Sequence, residues 1–513
     1  MQTGPKNPYL ADSSNAIGHG RCDQQDSYAA TGPSGPTEVL SDDDVQFTWM
    51  GPGHFGGSFS SPYPDGKRVI WSNGLQTIVK LDYDTLEVLA SHTVAGQEVT
   101  PMEVFEEAVH GLDTLTGQEA IDHSLHLTLS YMLGLDGVYK MLDRDNRLLV
   151  GYSDRVVAYA DAEAGDRHSP IVEDAVWTKP DHIEGSFVGI NMTFDGRVVV
   201  STDHGWLIAL TSDFSEYDAI QLPGAADDAA DHWRRMEEAG KRGYGWVRTS
   251  LCTGDDGGIY ISSVDTTFKV VWTGERLSLD EADGAWAAEY RNGAGWGSGT
   301  TPSLMGFGPD EDRFVVIGDG DEVVNITLLW RDEIPEDWEQ LPGAPSRRIA
   351  GIGPANMGDP DITAIQTEQS ITVSGYGAMT VNNEPASIPE TFPARGQRLL
   401  VFFLGHHPEY TPHGLHKYEW NPETRTFDEA WVCTTVSSPN SVPSVSEGAN
   451  LVYTCGARHG KWTIEALDWT TGEEAFHFVV GDSRFNTGGS SAIVDEEGRL
   501  VFGSLYGKTR ILR

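Results

Sequence analysis

Short apolar segments alternate with turn residues along most of the chain. In the stretch from 59 to 92, an apolar run at 69–71 ends at Ser-Asn-Gly, a second run follows at 78–81, and a new turn begins at Asp82. Alternation over four to eight positions is typical of β-strands, and Asn-Gly or Asp-Gly pairs are typical of tight hairpins. This stretch therefore predicts antiparallel strands joined by short turns.

The same unit recurs through the chain. Clear copies are INMTFDGRVVVSTDHGWLIALTSDF (190–214) and LCTGDDGGIYISSVDTTFKVVW (251–272). Units of roughly 40 to 60 residues with four short strands predict an all-β fold of the β-propeller type. We count eight blades, with seven as the alternative. The last unit ends at KTRILR without an outer strand, and the N-terminal TEVLSDDDVQFTWM could supply that strand and close the ring.

The pattern divides the chain into an N-terminal extension, 1–40, and a single propeller domain, 41–513. Two segments have helical spacing instead, about 100–133 and 227–242, and we interpret them as helical insertions between blades. Insertions of this kind either cap one face and narrow access to a site or only decorate the surface.

Charge excludes two classes of partner. The net charge is −42, from 77 acidic and 35 basic residues, and a field of this sign repels nucleic-acid phosphates and anionic lipid. We therefore expect no nucleic acid and no membrane as partner, but a small-molecule substrate. A role in keeping the protein soluble would by itself also explain this net charge. The oligomeric state stays open.

The chain starts without the apolar region of a signal peptide, and no run of about 18 apolar residues occurs. The sequence thus predicts a cytoplasmic protein, or a secreted one if a leader has been removed. The four cysteines form no CxxC pair and are too scattered for a disulfide framework.

The segment IEALDWTTGEEAFHFVVG (464–481) resembles the repeat of quinoprotein-like propellers, in which a strand, a D-x-x-T-G turn and an aromatic strand recur. Other phrases, such as SEGANLVYTCGARHGKWT, resemble those of uncharacterised bacterial propeller proteins. The resemblance implies the eight-bladed quinoprotein-like superfamily. It does not imply the quinone, because the vicinal cysteine pair and the Trp docking motifs are absent, as is a CxxCH for haem.

In a propeller, the loops before the inner strands and the hairpins after the second strands share one face, where ligands gather around the channel. Polar residues at these positions are the candidates for the site. The candidate catalytic residues are His54, Arg248, Glu368 and His204. The candidate substrate-binding residues are Asn73, Asp203, Thr301, Gln369, Asn440, His459 and Asn486. Turn formation is the alternative explanation for each Asn and Asp, and a structural polar network for the inner residues.

These residue types indicate acid/base chemistry. His54 or His204 could act as a general base, since imidazole titrates near neutral pH. Glu368 could be a second acid/base, or a Ca²⁺ ligand together with Asn191 and Asn440. Arg248 could bind a carboxylate or stabilise an oxyanion. We expect His54, Arg248 and Glu368 to converge across the channel.

The stretch GHHPEYTPHGLHKYEW (405–420) contains four histidines, His406, His407, His413 and His416. The preceding RLLVFFLG predicts a strand, so that the first three fall in a hairpin and His416 on the partner strand. Four close histidines could bind a transition metal, but no motif spacing matches, and a loop at the channel rim is the alternative.

The sequence contains no G-x-S-x-G, HExxH, Walker A or dinucleotide motif. It therefore predicts a small-molecule enzyme of the hydrolase or lyase/isomerase type at the channel. We expect at most one divalent metal, Ca²⁺ or a transition metal, and no PQQ, haem or nucleotide. The alternative is a non-catalytic propeller that binds a ligand or a protein.

Overall fold

The computed structural model describes residues 2–132, 136–241, 243–365, 367–392 and 397–513. Its strands form eight separate sheets, each built on four antiparallel strands. Seven of these sheets take the four strands in sequence order, and the eighth combines three strands near the C-terminus with one from the N-terminal part of the chain. The fold is thus an eight-bladed β-propeller, as the repeat count predicts.

The first four blades each place their first strand innermost. From inside to outside, blade 1 has Ser58–Phe59, Val69–Asn73, Thr77–Asp82 and Val88–Thr93, and blade 2 has Lys140–Leu142, Leu148–Gly151, Arg155–Asp161 and Ile171–Thr178. Blade 3 has Phe187–Met192, Val198–Thr202, Trp206–Leu210 and Tyr217–Gln221. Blade 4 has Cys252–Thr253, Gly258–Ser262, Thr266–Trp272 and Leu277–Ser278, and an extra strand, Trp286–Glu289, also pairs with its third strand.

The last four blades follow the same order. Blade 5 has Ser303–Met305, Phe314–Gly318, Asn325–Trp330 and Ile349–Pro354; blade 6 has Thr372–Ser374, Gly377–Val381, Leu415–Asn421 and Thr426–Cys433; blade 7 has Ser444–Ser446, Leu451–Arg458, Lys461–Asp468 and Glu474–Gly481; blade 8 has Ile493–Val494, Leu500–Gly503 and Gly507–Ile511.

The N-terminal part of the chain closes the ring. Strand Val45–Trp49 pairs antiparallel with Gly507–Ile511 and is the outer strand of blade 8, which confirms the predicted closure. A strand from the N-terminal part of the chain and the last strand therefore share one sheet, and the edge that the last strand would expose is covered.

The residues before 41 pack against the propeller, and those up to Tyr28 run along its inner strands. The backbone oxygens of Cys22, Asp23, Gln25 and Asp26 accept hydrogen bonds from the inner strands of blades 4, 5, 6 and 7 in turn, at 2.8–3.0 Å. Ser27–Tyr28 then pairs parallel with the inner strand of blade 7, and Glu38–Val39 with its outer strand. We call residues 7–28 the channel segment.

Helices cover the face on which the inner strands begin. In sequence, two helices follow blade 1: α1 (Met102–Thr114) and α2 (Gly117–Leu127), the second extended by a π-helical turn over Thr128–Met132. Helix α3 (Ala225–Glu238) comes between blades 3 and 4 in sequence. These are the two predicted insertions. Single turns of 3-10 helix occur at Asp42–Asp44, Glu281–Asp283 and Ser483–Phe485.

A fourth helix, α4 (Gln397–Leu404), occupies the run RLLVFFLG, and the predicted strand there is wrong. A short apolar run has the same sequence pattern in a buried strand and in a buried helix. The surfaces that the run packs against therefore decide its secondary structure. Leu400 and Leu404 pack in one buried cluster with Phe105 and Leu112 of α1 and with Tyr506 of blade 8. None of the described helices is long and apolar enough to span a membrane.

Candidate functional site

The channel contains a cavity of about 180 Å³. The channel segment forms one side of it with Asn15, Gly18 and His19, and the starts of the inner strands form the rest. The polar residues that line the cavity are Asn15, His19, Ser58, Tyr139, Lys140, Thr249, Thr301, Glu368, Gln369, Ser370, Ser490 and Ser491.

A serine, a histidine and an aspartate are connected beside this cavity. The Nδ1 atom of His19 lies 2.7 Å from an Oδ atom of Asp26, and its Nε2 atom lies 3.4 Å from the Oγ atom of Ser370. The other Oδ atom of Asp26 accepts a hydrogen bond of 2.9 Å from Ser491. An Nδ1–H that donates to Asp26 leaves the lone pair of Nε2 facing the serine hydroxyl, which is the arrangement of an activated nucleophile.

His19 and Asp26 have an unusual backbone conformation, and the electrostatic environment of His19 changes its pKa. His19 and Asp26 have φ angles of 64° and 55°, a region that residues other than Gly seldom adopt and that recurs at functional sites. Burial alone would lower the pKa of His19, but the negative charge of Asp26 and the hydrogen bond to it outweigh burial and raise the pKa above its ordinary value.

Arg248 and Glu368 do meet, as a bidentate ion pair. The Nη2 atom of Arg248 lies 2.9 Å from both carboxylate oxygens of Glu368, and its Nη1 donates to two backbone oxygens. The hydroxyl of Tyr244 also donates to Glu368, at 2.9 Å, and the Tyr244 ring stacks on the guanidinium at 3.7 Å. Glu368 lies two residues before Ser370, so this pair holds the loop that carries the serine.

His54 does not join them. Its side chain is completely buried, and its ring nitrogens lie 3.1 Å from the hydroxyl of Ser72 and 3.0 Å from that of Thr77. Burial, together with the charges of Lys508 and Lys140, lowers the pKa of His54 to about 3. The expected convergence of three residues thus reduces to two, because His54 is enclosed within blade 1.

His204 and Asp203 pair with each other in the hairpin of blade 3. The Nδ1 atom of His204 lies 2.7 Å from Asp203, and this hydrogen bond raises the pKa of the imidazole. His459 is exposed at the tip of the hairpin of blade 7, with a φ of 51°. None of these three residues lines the cavity, whereas Thr301 and Gln369 do.

The four candidate asparagines bind the backbone instead of facing the cavity. Asn440 donates to Val401 and Phe402 of α4 and to Asn486, which also donates to Phe402 at 2.7 Å. Asn73 donates to the backbone of Gly137.

Asn191 donates to Cys22 of the channel segment and to Leu251. The proposed Ca²⁺ set of Glu368, Asn191 and Asn440 is therefore not brought together, since the amide oxygen of Asn191 accepts from Thr253 and that of Asn440 from Thr487.

Three of the four histidines of 405–420, His406, His407 and His416, have separate partners. The Nε2 atom of His406 lies 3.4 Å from Asp113, that of His407 lies 3.0 Å from the backbone oxygen of Leu112, and that of His416 lies 3.0 Å from Glu429. Within the described ranges, the group of side chains with metal-ligand spacing is instead Glu465, Glu474 and His477 in blade 7, and there Arg458 already binds both carboxylates.

Comparison with solved structures fixes the fold. A quinohemoprotein alcohol dehydrogenase of Comamonas testosteroni matches with a TM-score of 0.53 and 10% identity over 99% of this chain and 81% of that one. One from Pseudomonas putida matches with a TM-score of 0.50 and 12% identity, over 99% and 80% of the two chains. This chain thus shares its β-propeller fold with these quinohemoprotein dehydrogenases.

Sequence comparison adds no activity to this fold. The chain is 29% identical over 466 residues to an uncharacterized protein of Archaeoglobus fulgidus, and the match covers 88% of this chain and 79% of that protein. No protein family model matches the chain.

The cysteines of this chain do not supply the vicinal pair that is typical of quinoprotein dehydrogenases. Its four cysteines are free and buried, at Cys22 in the channel segment, Cys252 in blade 4, Cys433 in blade 6 and Cys455 in blade 7. No vicinal cysteine pair is thus available, and the channel segment occupies one side of the cavity. The absence of PQQ and haem stays a prediction.

Sequence analysis missed five residues of the channel. His19 and Asp26 lie before residue 41, in a segment interpreted as an extension. Ser370 directly follows two candidates, Glu368 and Gln369, and the alternation of the inner strand could have indicated it. Lys140 starts the inner strand of blade 2, and Lys508 lies in the third strand of blade 8; both belong to irregular copies of the repeat.

Proposed function

We propose that this chain is a small-molecule hydrolase that acts in the central channel, with Ser370 as nucleophile, His19 as general base and Asp26 as the group that orients His19. The observation that carries the proposal is the connected series Asp26–His19–Ser370 at the wall of a cavity. The separation of 3.4 Å between Ser370 and His19 is long, but such contacts tighten when substrate binds.

In the proposed reaction, His19 Nε2 takes the proton of the Ser370 hydroxyl while the oxygen adds to the carbonyl carbon of an ester or amide. The protonated imidazole then gives its proton to the leaving group as the carbon–leaving group bond breaks, and an acyl-serine forms. Water, deprotonated by the same nitrogen, releases the acid and restores Ser370. The steps balance without a cofactor.

Other residues of the cavity support this chemistry. Gln369 lines the cavity beside the serine, and its side-chain amide is the proposed donor to the oxyanion. The backbone N–H of Thr301 donates to the Ser370 oxygen at 3.2 Å and orients the hydroxyl. Arg248 and Glu368 are proposed as positioning residues, because their ion pair fixes the loop two residues before the nucleophile.

The proposed substrate is a small molecule, and nucleic acid and membranes are not proposed as partners of a chain with a net charge of −42. Four unpaired cysteines support a cytoplasmic location, because oxidising compartments favour disulfides.

The proposal is tested by labelling and turnover together. A fluorophosphonate probe should attach to Ser370 in the intact protein, as read from the mass of the modified peptide, and the protein should hydrolyse one of a panel of 4-nitrophenyl esters and lactones. Ser370→Ala should abolish the label and lower kcat by about 10³-fold or more. Ser387→Ala, an exposed serine that bonds a backbone oxygen, is the control and should behave as wild type.

Two results would contradict the hydrolase. One is a label on a different serine with full turnover in Ser370→Ala. The other is conversion of a substrate without any added water, which would indicate a lyase or an isomerase. Ligand binding with no turnover across the panel would favour the non-catalytic alternative.

A further inference from the structure

Two lysine side chains approach the backbone of Gly56 and Gly57 at the edge of the cavity. Lys140 lines the cavity, and Lys508 is completely buried, with its Nζ atom 2.6 Å from the backbone oxygen of Gly56. Across the part of the chain that the structure describes, no acidic residue forms an ion pair with either amino group. Lys508 thus has a backbone partner, whereas among the described residues no hydrogen bond or ion pair engages the amine of the partly buried Lys140, so an anion in the cavity would stabilise it.

The surrounding backbone leaves space in front of the two amines. A Cβ atom on Gly56 would lie 3.7 Å from the Nζ atom of Lys140 and 3.8 Å from the Oγ atom of Ser490, and one on Gly57 would lie 2.6 Å from the Nζ atom of Lys508. The absence of a side chain at Gly56 thus leaves room for the Lys140 amine and the Ser490 hydroxyl, and its absence at Gly57 leaves room for the Lys508 amine. Gly56, Gly57 and Ser490 all line the cavity.

The acidic groups nearest the cavity have partners of their own. Glu368 is bound by Arg248, and Asp26 accepts hydrogen bonds from His19 and Ser491. The amine of Lys140 therefore stays available to an anionic ligand inside a molecule whose net charge is −42.

We infer that Lys140, backed by Lys508 and Ser490, is a binding subsite for a carboxylate, so that the substrate is a small ester, thioester or amide that carries a free carboxylate group. This inference rests on the proposed hydrolase for the reaction, but the subsite can be tested without turnover.

The cavity lining contains one lysine, Lys140, which matches a monoanion such as a carboxylate better than a phosphate. Burial lowers the pKa of Lys140 only to about 8, so its amine is mostly protonated at neutral pH. The size also matches a small ligand, since a cavity of roughly 150 Å³ holds benzene and this one measures about 180 Å³.

The test measures binding of benzoate, and of benzamide as its neutral counterpart, by calorimetry on the full chain. Wild type and Ser370→Ala should both bind benzoate and discriminate against benzamide. Lys140→Met should weaken benzoate binding by about tenfold or more, because a charge-assisted hydrogen bond is lost, and leave benzamide unchanged. Lys140→Arg should retain most of the affinity. The control Lys461→Met removes an exposed lysine of the same face and should have no effect.

Equal affinity of wild type for benzoate and benzamide, or unchanged benzoate binding in a Lys140→Met protein that melts cooperatively, would overturn the inference. Binding of inorganic phosphate with no binding of benzoate would overturn the assignment to a carboxylate. The Ser370→Ala variant separates failure of the proposed hydrolase from failure of the subsite. Unchanged turnover in Ser370→Ala would reject Ser370 as the nucleophile. Selective loss of benzoate binding in Lys140→Met would still support the carboxylate subsite.

Discussion

At the scale of single residues, the protonation of His19 should control the rate. A general base must be neutral, and Asp26 raises the pKa of His19 above its ordinary value of about 6.5. We expect kcat/KM to be low at acidic pH, to rise as the pH passes through this raised pKa, and to level off above it. Asp26→Asn should move the rise to lower pH and reduce the plateau by about 10²-fold or more.

Glu429→Gln is the matched control for this pH profile, because it removes the carboxylate beside a different histidine, His416, outside the cavity. If kcat/KM of Asp26→Asn rises at the same pH as that of the wild type, His19 is excluded as the general base.

The ion pair of Arg248 and Glu368 should contribute to stability. The Arg248 side chain is 5% exposed and that of Glu368 is 31% exposed, so removal of the carboxylate charge leaves a cation largely buried. We expect Glu368→Gln to lower the free energy of unfolding by about 1–3 kcal/mol in urea titrations. The double variant Arg248→Met/Glu368→Gln should recover part of this loss. Wild-type stability in Glu368→Gln would mean that the pair contributes nothing.

At the scale of elements, Asp113 should stabilise the packing of the cap, which we define as helices α1 and α4, against the propeller. Its carboxylate lies 3.4 Å from the Nε2 atom of His406 and accepts hydrogen bonds of 2.9–3.0 Å from Ser483. Burial alone would raise the pKa of Asp113, but these hydrogen bonds lower it on balance. Its contribution to stability is therefore present above the ordinary carboxyl pKa and is lost as the pH falls through the lowered one.

Asp113→Asn should consequently increase amide hydrogen exchange in α1 and α4 at neutral pH while the inner strands keep their protection. Asp122→Asn, on the exposed side of α2, is the control. Equal exchange in α1 for both variants would show that Asp113 does not anchor the cap.

At the scale of the whole molecule, the charge of −42 should oppose folding through self-repulsion. Salt screens such repulsion, so Tm at pH 7 should rise by several degrees between about 20 mM and 0.5 M NaCl. The same comparison near pH 4.5, close to the isoelectric point, should give a much smaller change. A fall in Tm with salt at pH 7 would mean that ion pairs outweigh the net repulsion.

The sequence by itself determined the architecture. Eight copies of a strand-and-turn pattern, and an N-terminal strand to complete the last one, follow from local periodicity, and local periodicity is what secondary structure obeys. The pairing of Arg248 with Glu368 could also be predicted, because both precede inner strands that surround one axis. The helix α4 could not, since a run of six apolar residues takes its conformation from the surfaces that it packs against, here Phe105 and Tyr506.

Only the tertiary structure decided the composition of the candidate site. His19 and Asp26 reach Ser370 because the channel segment runs inside the ring, and hydrogen bonds between residues more than 340 positions apart leave no local pattern in the sequence. The same packing encloses His54 with Ser72 and Thr77 and removes it from the cavity. Periodicity specifies which side of a strand faces inward, whereas the long-range arrangement of the chain specifies which inward residues meet.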